Sequence, residues 1–378
     1  MLKILIVYAN SGAGHRRAAE ALHQEVVAGF PGSKVAILDV LDYTTPFFGE
    51  NYSRLYLFLV KYFPQLWGFG WYFLNIDFVD RIVKLFRRMN NALYCKRFED
   101  YLLAEQPDLV LTTHFLPNEI ITHLKKRHRF RTTLVTCITD YYPHAWWRDR
   151  GVDLYITPNE DLTPRLVKLG ILPAKIKPLG IPIDREFAER HSKTDIRNQL
   201  GLQPDRLTLL ITSGGFGVGP VKDLLAEVVK IKFRLQILVI CGNNNSLQEE
   251  LKEFAGSKAH DVRIFGFVRN MHELMAASDL MVSKSGGLTS TEAMAKGLPM
   301  VVLYPIPGQE SSNCDFLLKH EAGVLAQDPP GAACQIEALL GETSRLQRFQ
   351  NNIAKLGKPH SAREIVAYVR NVFGKGES

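Results

Sequence analysis

Short, continuous apolar runs alternate along the chain with glycine-rich turns and with segments of helical periodicity. Such runs are typical of strands that are buried on both faces of a parallel sheet. In the first half of the chain they lie at residues 4–9, 35–40, 109–112, 133–138, 153–156 and 178–180. In the second half they lie at residues 207–212, 237–241, 262–265, 280–282 and 300–304. The alternation of strands and helices predicts two doubly wound α/β domains.

A polar and charged stretch at residues 182–205 lacks the pattern of a buried strand and separates the two halves. We therefore expect an N-terminal domain at residues 1–184 and a C-terminal domain at residues 185–358. The remaining residues, 359–378, are expected to form a helix that returns to the first domain. A chain of 378 residues is long enough for two domains with separate cores.

One segment, residues 279–309, has the strand–turn–helix–strand organisation of a nucleotide-binding βαβ unit. Its turn contains Gly286 and Gly287, which allow a backbone to approach an anion closely. The helix that follows is predicted at residues 291–296, and its N-terminus offers free N–H groups and the positive end of a dipole. The segment therefore predicts an anion-binding turn.

Thr289 and Ser290 are the predicted N-terminal caps of this helix, which places Glu292 in its first turn. A carboxylate there is able to accept hydrogen bonds from two vicinal ribose hydroxyls. Gln309 and Glu310, just past the second strand, are placed to contact hydroxyls of a group carried beyond the phosphates. The alternative is structural: the glycines only separate elements, and Glu292 only complements the helix dipole.

Two further strands end in glycine-rich turns that lead into helices. The first turn, residues 11–15, contains Gly14 and His15 and precedes a helix predicted at residues 16–28. The second turn, residues 213–219, has the sequence SGGFGVG. Their recurrence favours a ligand at the carboxyl-terminal edge of each sheet.

Asp140 and His144 follow the strand predicted at residues 133–138 and stand beside two tryptophans. A carboxylate and an imidazole at a strand end form either an acid/base pair or a pair of loop anchors. The sequence leaves these two interpretations open.

The composition changes between residues 43 and 78, where 14 of 36 positions are aromatic and little helical or strand alternation is visible. An amphipathic helix is predicted next, with an apolar face at Phe78, Ile82, Leu85, Phe86, Met89 and Leu93. Its other side carries the basic residues Arg81, Lys84, Arg87 and Arg88. Residues 43–97 are therefore predicted to form an interfacial membrane segment. The alternative is that the aromatic side chains pack onto the domain core or onto a dimer partner.

The residues expected to contact the acceptor or the membrane come from this segment and from the two tryptophans after the fourth strand. They are Trp67, Trp71, Arg81, Lys84, Arg88, Trp146 and Trp147.

The bulk composition narrows the class of protein. A formal net charge of +7 and a pI near 9.0 favour anionic partners such as phosphates or anionic lipids. Five scattered cysteines without CxxC spacing indicate reduced thiols and no zinc site. The N-terminal apolar run is too short for a signal peptide, and the longest uncharged run in the first half is too short to span a bilayer. We expect a cytoplasmic protein attached peripherally to the membrane, without a nucleic-acid partner.

Several motifs resemble those of a known enzyme family. SGAGHRRAAEAL and TDYYPHAWW are similar to motifs of monogalactosyldiacylglycerol synthases and processive diacylglycerol glucosyltransferases. GFVRNMHELM, SKSGGLTSTEAMAKGLP and PGQESSN occur in the order seen in the glycosyltransferase family that includes MurG, family 28. The resemblance covers nearly the whole chain and is weakest in the aromatic segment. It implies a GT-B fold, in which two Rossmann-like domains face a central cleft.

The resemblance implies a UDP-sugar donor, either UDP-glucose or UDP-galactose, and diacylglycerol as the acceptor. Uracil is then bound by the backbone at Phe267 and Val268, ribose by Glu292, and the sugar by Gln309 and Glu310. The other implied donor-binding residues, most of them around the diphosphate, are Gly14, Ser213, Gly214, Gly215, Ser285, Gly286 and Gly287.

The implied reaction is an inverting, in-line attack by an acceptor hydroxyl on the anomeric carbon of the sugar. His15 is the first candidate for the general base and Asp140 the second, with His144 also expected in the catalytic group. The sequence contains no DxD motif, so we expect neither a metal ion nor another cofactor. A helix N-terminus is expected to stabilise the leaving UDP instead.

Three other functions remain open from the sequence. A MurG-like transferase would use an undecaprenyl-linked acceptor, against which the TDYYPHAWW motif and the long aromatic insertion argue. A UDP-sugar 2-epimerase has the same fold but no need for a membrane segment. A non-catalytic sensor of nucleotide sugars or lipids would keep its function without His15.

Overall fold

The computed structural model describes residues 1–127, 130–142, 144–212, 220–257 and 259–373. The chain divides into two compact units. The first comprises Met1–Arg185, Pro307–Gln309 and His360–Ser378, and the second comprises Glu186–Ile306 and Glu310–Pro359.

In the described part of the first unit, six parallel strands form one sheet in the order β2-β1-β3-β4-β5-β6. They are β1 (Lys3–Tyr8), β2 (Lys34–Asp39), β3 (Leu109–Thr112), β4 (Thr133–Cys137), β5 (Leu154–Ile156) and β6 (Ile176–Lys177). The last strand ends before the segment predicted for it, 178–180. Pro178 has no N–H group with which to extend the ladder.

Helices cover this sheet and extend beyond it. They are α1 (Ala13–Gly29), α2 (Pro46–Tyr62), α3 (Pro64–Leu74), α4 (Asp77–Tyr94), α5 (Lys96–Glu105), α6 (Phe115–Lys126) and α7 (Thr163–Lys168). The sequence showed little helical alternation at residues 43–78, but the structure has α2 and α3 there. Apolar side chains surround these helices and mask their periodicity, while Pro46 and Pro64 occupy first helical positions, which suit proline.

The described part of the second unit also contains a sheet of six parallel strands, in the order β12-β11-β10-β7-β8-β9. They are β7 (Thr208–Thr212), β8 (Gln236–Ile240), β9 (Asp261–Phe265), β10 (Leu280–Ser283), β11 (Met300–Leu303) and β12 (Gly323–Ala326). Numbered within the unit, this is the 3-2-1-4-5-6 order of dinucleotide-binding sheets. The strand order reverses between β7 and β10 here, and between β1 and β3 in the first unit.

The helices that follow complete the fold. They are α8 (Lys193–Gln199), α9 (Val221–Val228), α10 (Asn245–Glu250), α11 (Met271–Ala277), α12 (Gly287–Ala295), α13 (Gln309–Lys319), α14 (Pro329–Gly341), α15 (Thr343–Leu356) and α16 (Ser361–Phe373).

The last helix belongs to the core of the first unit. Ile365 and Val366 of α16 are buried in a cluster that includes Leu22 and Val26 of α1. A Cβ atom on Gly29 would lie 2.7 Å from Val366 Cγ1, so α1 and α16 approach closely at that point. This packing attaches the end of the chain to its beginning.

Candidate functional site

The turn after β1 lies at the point where the strand order of the first sheet reverses. Helix α1 begins at Ala13, three residues before its predicted start at 16, and Gly12 is its N-terminal cap position. His15 therefore lies in the first turn of α1, and Gly14 directly precedes it. In doubly wound sheets the crevice at such a reversal is where ligands bind.

His15 is half-buried, and its ring orientation is fixed by the neighbouring strand β3. Its Nδ1 atom lies 2.7 Å from the carbonyl oxygen of Thr113 and 3.1 Å from the hydroxyl oxygen of Thr139. A carbonyl only accepts hydrogen bonds, so Nδ1 carries the proton in the neutral ring and Nε2 holds a lone pair. Burial lowers the pKa of His15 to about 4, so the neutral ring predominates near pH 7.

His114, which was not among the predicted site residues, is also a component of this site. Its ring lies edge-on to that of His15, with centroids 4.7 Å apart. Its Nδ1 accepts a hydrogen bond from the Leu116 N–H at 3.1 Å, and its Nε2 lies 3.2 Å from the hydroxyl of Ser11. Burial holds the pKa of His114 well below its usual range. The sequence contains a signal for it, because His114 follows a predicted buried strand in the same way as His15.

Asp140 is buried after β4 and forms a hydrogen bond with Gln309. The Nε2 atom of Gln309 donates to Asp140 Oδ1 at 2.6 Å. From the sequence these two residues have separate expected roles, Asp140 as a candidate base and Gln309 as a sugar contact. The structure brings them together.

His144 is buried, and both of its ring nitrogens are engaged by the backbone. Nε2 donates to the carbonyl oxygen of Trp71 at 2.9 Å, and Nδ1 accepts from the Trp146 N–H at 3.2 Å. Burial lowers the pKa of His144 to about 4. This arrangement favours the interpretation of His144 as a loop anchor and leaves it without a ring nitrogen for proton transfer.

The four tryptophans expected to contact the acceptor or the membrane differ in their exposure. Trp71 and Trp147 are only 6% and 2% exposed, and Trp67 and Trp146 are half-buried. Trp67 packs against Tyr56, with ring centroids 5.0 Å apart. The burial of Trp71 and Trp147 argues against membrane contact for these two rings, and their contact with the acceptor stays a prediction.

The outer surface of α2, α3 and α4 is instead covered by other apolar side chains, which we call the apolar surface. It consists of Phe47, Leu55, Phe58, Tyr62, Phe63, Leu66, Phe69, Tyr72, Phe73, Ile76, Phe78, Ile82, Leu85, Phe86, Met89 and Leu93. All are at least 46% exposed. Among the helices that the structure describes, none is long and apolar enough to cross a bilayer.

Helix α4 directs its charged side toward the protein. Arg87 Nη2 lies 2.7 Å from Glu119 Oε1 and 3.2 Å from Asp80 Oδ1, and Arg148 Nη2 lies 2.6 Å from Asp80 Oδ2. Lys84 Nζ lies 3.1 Å from the buried carboxylate of Asp149. Buried charges are stable only when paired in this way.

This arrangement corrects the prediction that Lys84 contacts lipid, because its amine is held inside by Asp149. Arg81 is exposed and Arg88 is half-buried, so these two basic residues remain at the outer side of α4.

In the second unit, the turn after β10 leads into α12 earlier than predicted. The helix begins at Gly287, and its first main-chain bond runs from the Ser290 N–H to the Gly286 carbonyl at 2.9 Å. Thr289 and Ser290 therefore lie inside the helix and do not cap it. Glu292 lies in the second turn, not the first, because glycine itself occupies the cap position.

Ser285 ties this turn to the start of α13. Its hydroxyl donates to the Glu310 carbonyl at 2.6 Å, and Asn313 Nδ2 donates to the Ser285 carbonyl at 3.0 Å. The carboxylate of Glu310 in turn accepts from the Ile306 N–H at 2.8 Å. Ser285 is fully buried, so its side chain fixes the turn that carries Gly286.

A concavity opens at the carboxyl ends of β7, β10 and β11. Its lining includes Thr212, Ser283, Lys284 and Tyr304. Tyr304 has a φ of +49°, a strained conformation for a residue with a side chain. Lys284 and Tyr304 were not predicted as site residues, although Lys284 lies within the quoted SKSGG turn.

The remaining predicted donor-binding residues are placed as follows. Phe267 and Val268 follow β9 at the edge of the sheet, with Phe267 62% exposed. Ser213, Gly214 and Gly215 lie outside the described residues.

Comparison with known proteins shows which families the two parts of the chain resemble. A model described as monogalactosyldiacylglycerol (MGDG) synthase matches residues 15–183. A model described as the glycosyltransferase family 28 C-terminal domain matches residues 208–328. The two matches together span about three quarters of the chain. The first part of the chain is therefore similar to monogalactosyldiacylglycerol synthases, and the second part to the C-terminal domain of family 28 glycosyltransferases. The resemblance found in the sequence is thereby confirmed.

Individual relatives and solved structures are consistent with these two matches. A processive diacylglycerol β-glucosyltransferase of Bacillus licheniformis is 28% identical over 364 residues, covering 96% of this chain and 93% of its own. The crystal structure of MurG from Acinetobacter baumannii has a TM-score of 0.66 at 14% identity, covering 98% of this chain and 100% of MurG. A putative UDP-N-acetylglucosamine 2-epimerase of Listeria monocytogenes has a TM-score of 0.60 at 14% identity, covering 99% of this chain and 97% of the epimerase. The predicted GT-B fold is confirmed, and because a transferase and an epimerase share it, the fold alone does not choose the reaction.

The buried histidines predict a specific dependence of stability on pH. The pKa of His144 is about 4 in the folded protein and 6.5 as its ordinary value, so the unfolded chain binds more protons between these pH values. The contribution of the neutral, buried His144 to the free energy of unfolding is therefore present above pH 6.5 and is lost as the pH falls toward 4. For one such histidine, the free energy of unfolding falls by about 2 kcal/mol between pH 7 and pH 5.

We expect His144→Gln to be less stable than the wild type at pH 7 but to lose about 2 kcal/mol less on going from pH 7 to pH 5. Urea unfolding at the two pH values measures this difference. An unchanged pH dependence in the variant would contradict the burial of a neutral His144.

Proposed function

We propose that the protein is an inverting glycosyltransferase that moves glucose or galactose from a UDP-sugar to 1,2-diacylglycerol at a membrane surface. The observation that carries the proposal is the similarity along 96% of the chain to a relative named as a processive diacylglycerol β-glucosyltransferase. This similarity includes the helices of the apolar surface as well as both sheets.

The second unit is proposed to bind the nucleotide. Gly286, Gly287 and the N-terminus of α12 supply close backbone N–H groups and a positive dipole end for the diphosphate, together with Ser213, Gly214 and Gly215. Glu292 is half-buried in the second turn of the same helix and is proposed to accept hydrogen bonds from the ribose hydroxyls. The backbone after β9, at Phe267 and Val268, is proposed to bind uracil.

The first unit is proposed to supply the general base. The acceptor hydroxyl oxygen bonds to the anomeric carbon, the bond from that carbon to the diphosphate oxygen breaks, and UDP leaves with the bonding electrons. The hydroxyl proton passes to Nε2 of His15, which holds a lone pair because Nδ1–H donates to Thr113.

The low pKa of His15, about 4, makes it a weak base in the free protein. A weak base is sufficient here, since the attacking oxygen becomes strongly acidic only as its bond to the anomeric carbon forms. Asp140 remains the second candidate, with one of its oxygens engaged by Gln309. The positive end of the α12 dipole is proposed to stabilise the negative charge on the departing UDP.

The apolar surface is proposed to rest on the membrane and to admit the lipid acceptor. Full burial of one large apolar side chain contributes roughly 1.5–3 kcal/mol, so insertion of three would suffice for reversible attachment. Arg81 and Arg88 would add about 1 kcal/mol each near anionic lipid. Because Lys84 and Arg87 are paired internally, attachment is expected to be mainly apolar and only moderately sensitive to salt.

The first experiment offers the purified protein UDP-glucose and UDP-galactose separately, with diacylglycerol in anionic liposomes, and analyses the lipids. We expect a mono- or diglycosyl diacylglycerol with one donor preferred. Release of UDP without a glycolipid would refute diacylglycerol as the acceptor and favour another one, such as a polyprenyl-linked sugar. Binding of UDP without turnover would favour a sensor.

The second experiment tests the base. We expect His15→Ala to lower kcat by about 10²–10⁴-fold while the Kd for UDP stays unchanged, because the imidazole takes part in proton transfer and not in nucleotide binding. His23→Ala, in the same helix, is the matched control. A larger loss in Asp140→Asn than in His15→Ala would reverse the order of the two candidates.

The third experiment tests the membrane surface. We expect Leu85→Glu combined with Phe86→Glu to reduce co-sedimentation with liposomes at least about tenfold, since two exposed apolar side chains are replaced by charges. Leu172→Glu is the matched control, because Leu172 is also exposed, at 64%, but lies outside the apolar surface. Equal binding by both variants would mean that the apolar surface does not contact lipid.

A further inference from the structure

Helix α3 packs closely against the segment Pro307–Gln309. A Cβ atom on Gly68 of α3 would lie 2.6 Å from Pro307 Cβ, and a Cβ atom on Gly308 would lie 2.8 Å from Trp71 Cγ. Gly308 also has a φ of +92°, in the region that favours glycine. The fit between this face of α3 and the segment therefore leaves no space for a methyl group at either glycine.

The same helix also holds the loop that follows Asp140. The carbonyl oxygen of Trp71 accepts a hydrogen bond from His144 Nε2 at 2.9 Å. One turn later, Asn75 Oδ1 accepts from the Ala145 N–H at 2.9 Å. These two bonds attach the chain immediately after Asp140 to α3.

Helix α3 thus contacts the chain on both sides of the Gln309–Asp140 hydrogen bond, whose atoms are 2.6 Å apart. That bond fixes the orientation of the Gln309 amide, because the nitrogen must face the carboxylate. The amide oxygen then points away from Asp140. If Gln309 contacts the hexose, this amide oxygen is available to accept a hydrogen bond from a sugar hydroxyl.

We propose that the face of α3 formed by Gly68 and Trp71 is a positioning surface that holds Gln309 against Asp140 and so orients Gln309 toward the donor sugar. The inference rests on the proposed function and on the sugar contact of Gln309 that the family resemblance implies. Gly68 and Trp71 touch no substrate in this scheme and act through Gln309.

The proposal predicts a large effect from one added methyl group. Carbon atoms normally approach to about 3.5–4.0 Å, so a Cβ at Gly68 would displace Pro307 by about 1 Å. A misplacement of about 1 Å in a reacting group is able to lower the rate about 10²-fold.

Helix α3 provides its own control. Gly70 lies two residues from Gly68, and a Cβ atom there would meet nothing within 4 Å. Alanine is a better helix former than glycine, so Gly68→Ala and Gly70→Ala should both fold. The two variants differ only in whether the methyl group faces Pro307.

The measurements are kcat for hexosyl transfer and the Kd values for UDP and for UDP-glucose by calorimetry. We expect Gly68→Ala to lower kcat at least about tenfold. It should also raise the Kd for UDP-glucose while the Kd for UDP stays unchanged, because only the sugar contact is moved. Gly70→Ala should remain within about twofold of the wild type in all three quantities.

A double-mutant cycle separates positioning from general damage. In a Gln309→Ala background, Gly68→Ala should have no further effect on kcat or on the Kd for UDP-glucose, because it acts through Gln309. Independent losses that multiply, or a Gly68→Ala variant that matches Gly70→Ala, would overturn the proposal. If the wild type transfers no sugar to diacylglycerol, the proposed function fails, while the comparison of UDP-glucose with UDP binding still decides the role of α3.

Discussion

The buried charge cluster beneath α4 determines how the surface of the first unit is arranged. Asp80 is fully buried and Glu119 is 3% exposed, and an unpaired carboxylate in either position would be strongly destabilising. Arg87 and Arg148 supply the compensating charges, and one of them lies on α4 itself. The charged side of α4 must therefore face inward, and its apolar side must face outward.

The inward orientation of the charged side of α4 explains why a chain of ordinary composition has such a large apolar surface. Soluble proteins rarely leave contiguous apolar patches of this kind uncovered, and those that do commonly use them for binding. The cluster keeps the apolar surface from turning toward the core, because rotating α4 would separate Arg87 from the buried Glu119 and Asp80 from Arg148. The exposed apolar surface is thus maintained by ion pairs inside the protein.

Much of the fold was predictable from the sequence, because strands buried on both faces read as unbroken apolar runs. The glycine turns and the positions of His15 and Asp140 at the carboxyl-terminal edge of the sheet were predictable for the same reason, since each follows such a run. The helical character of α2 and α3 was missed because their aromatic residues face all directions. The inward position of Lys84 was missed because its partner, Asp149, lies far along the chain, and the Gln309–Asp140 bond joins residues equally distant in sequence.

Helix α3 connects the two chemical parts of the first unit. Phe69 and Phe73 on its outer side are 69% and 47% exposed, while Gly68 and Trp71 on its inner side contact the segment that carries Gln309. A helix with its side chains is about 10–12 Å across, so the apolar surface and the contact of α3 with the Gln309 segment are separated by one helix diameter. Any displacement of α3 by contact with lipid would therefore reach Gln309 directly, because close-packed contacts such as Trp71 against Gly308 transmit movement and do not absorb it.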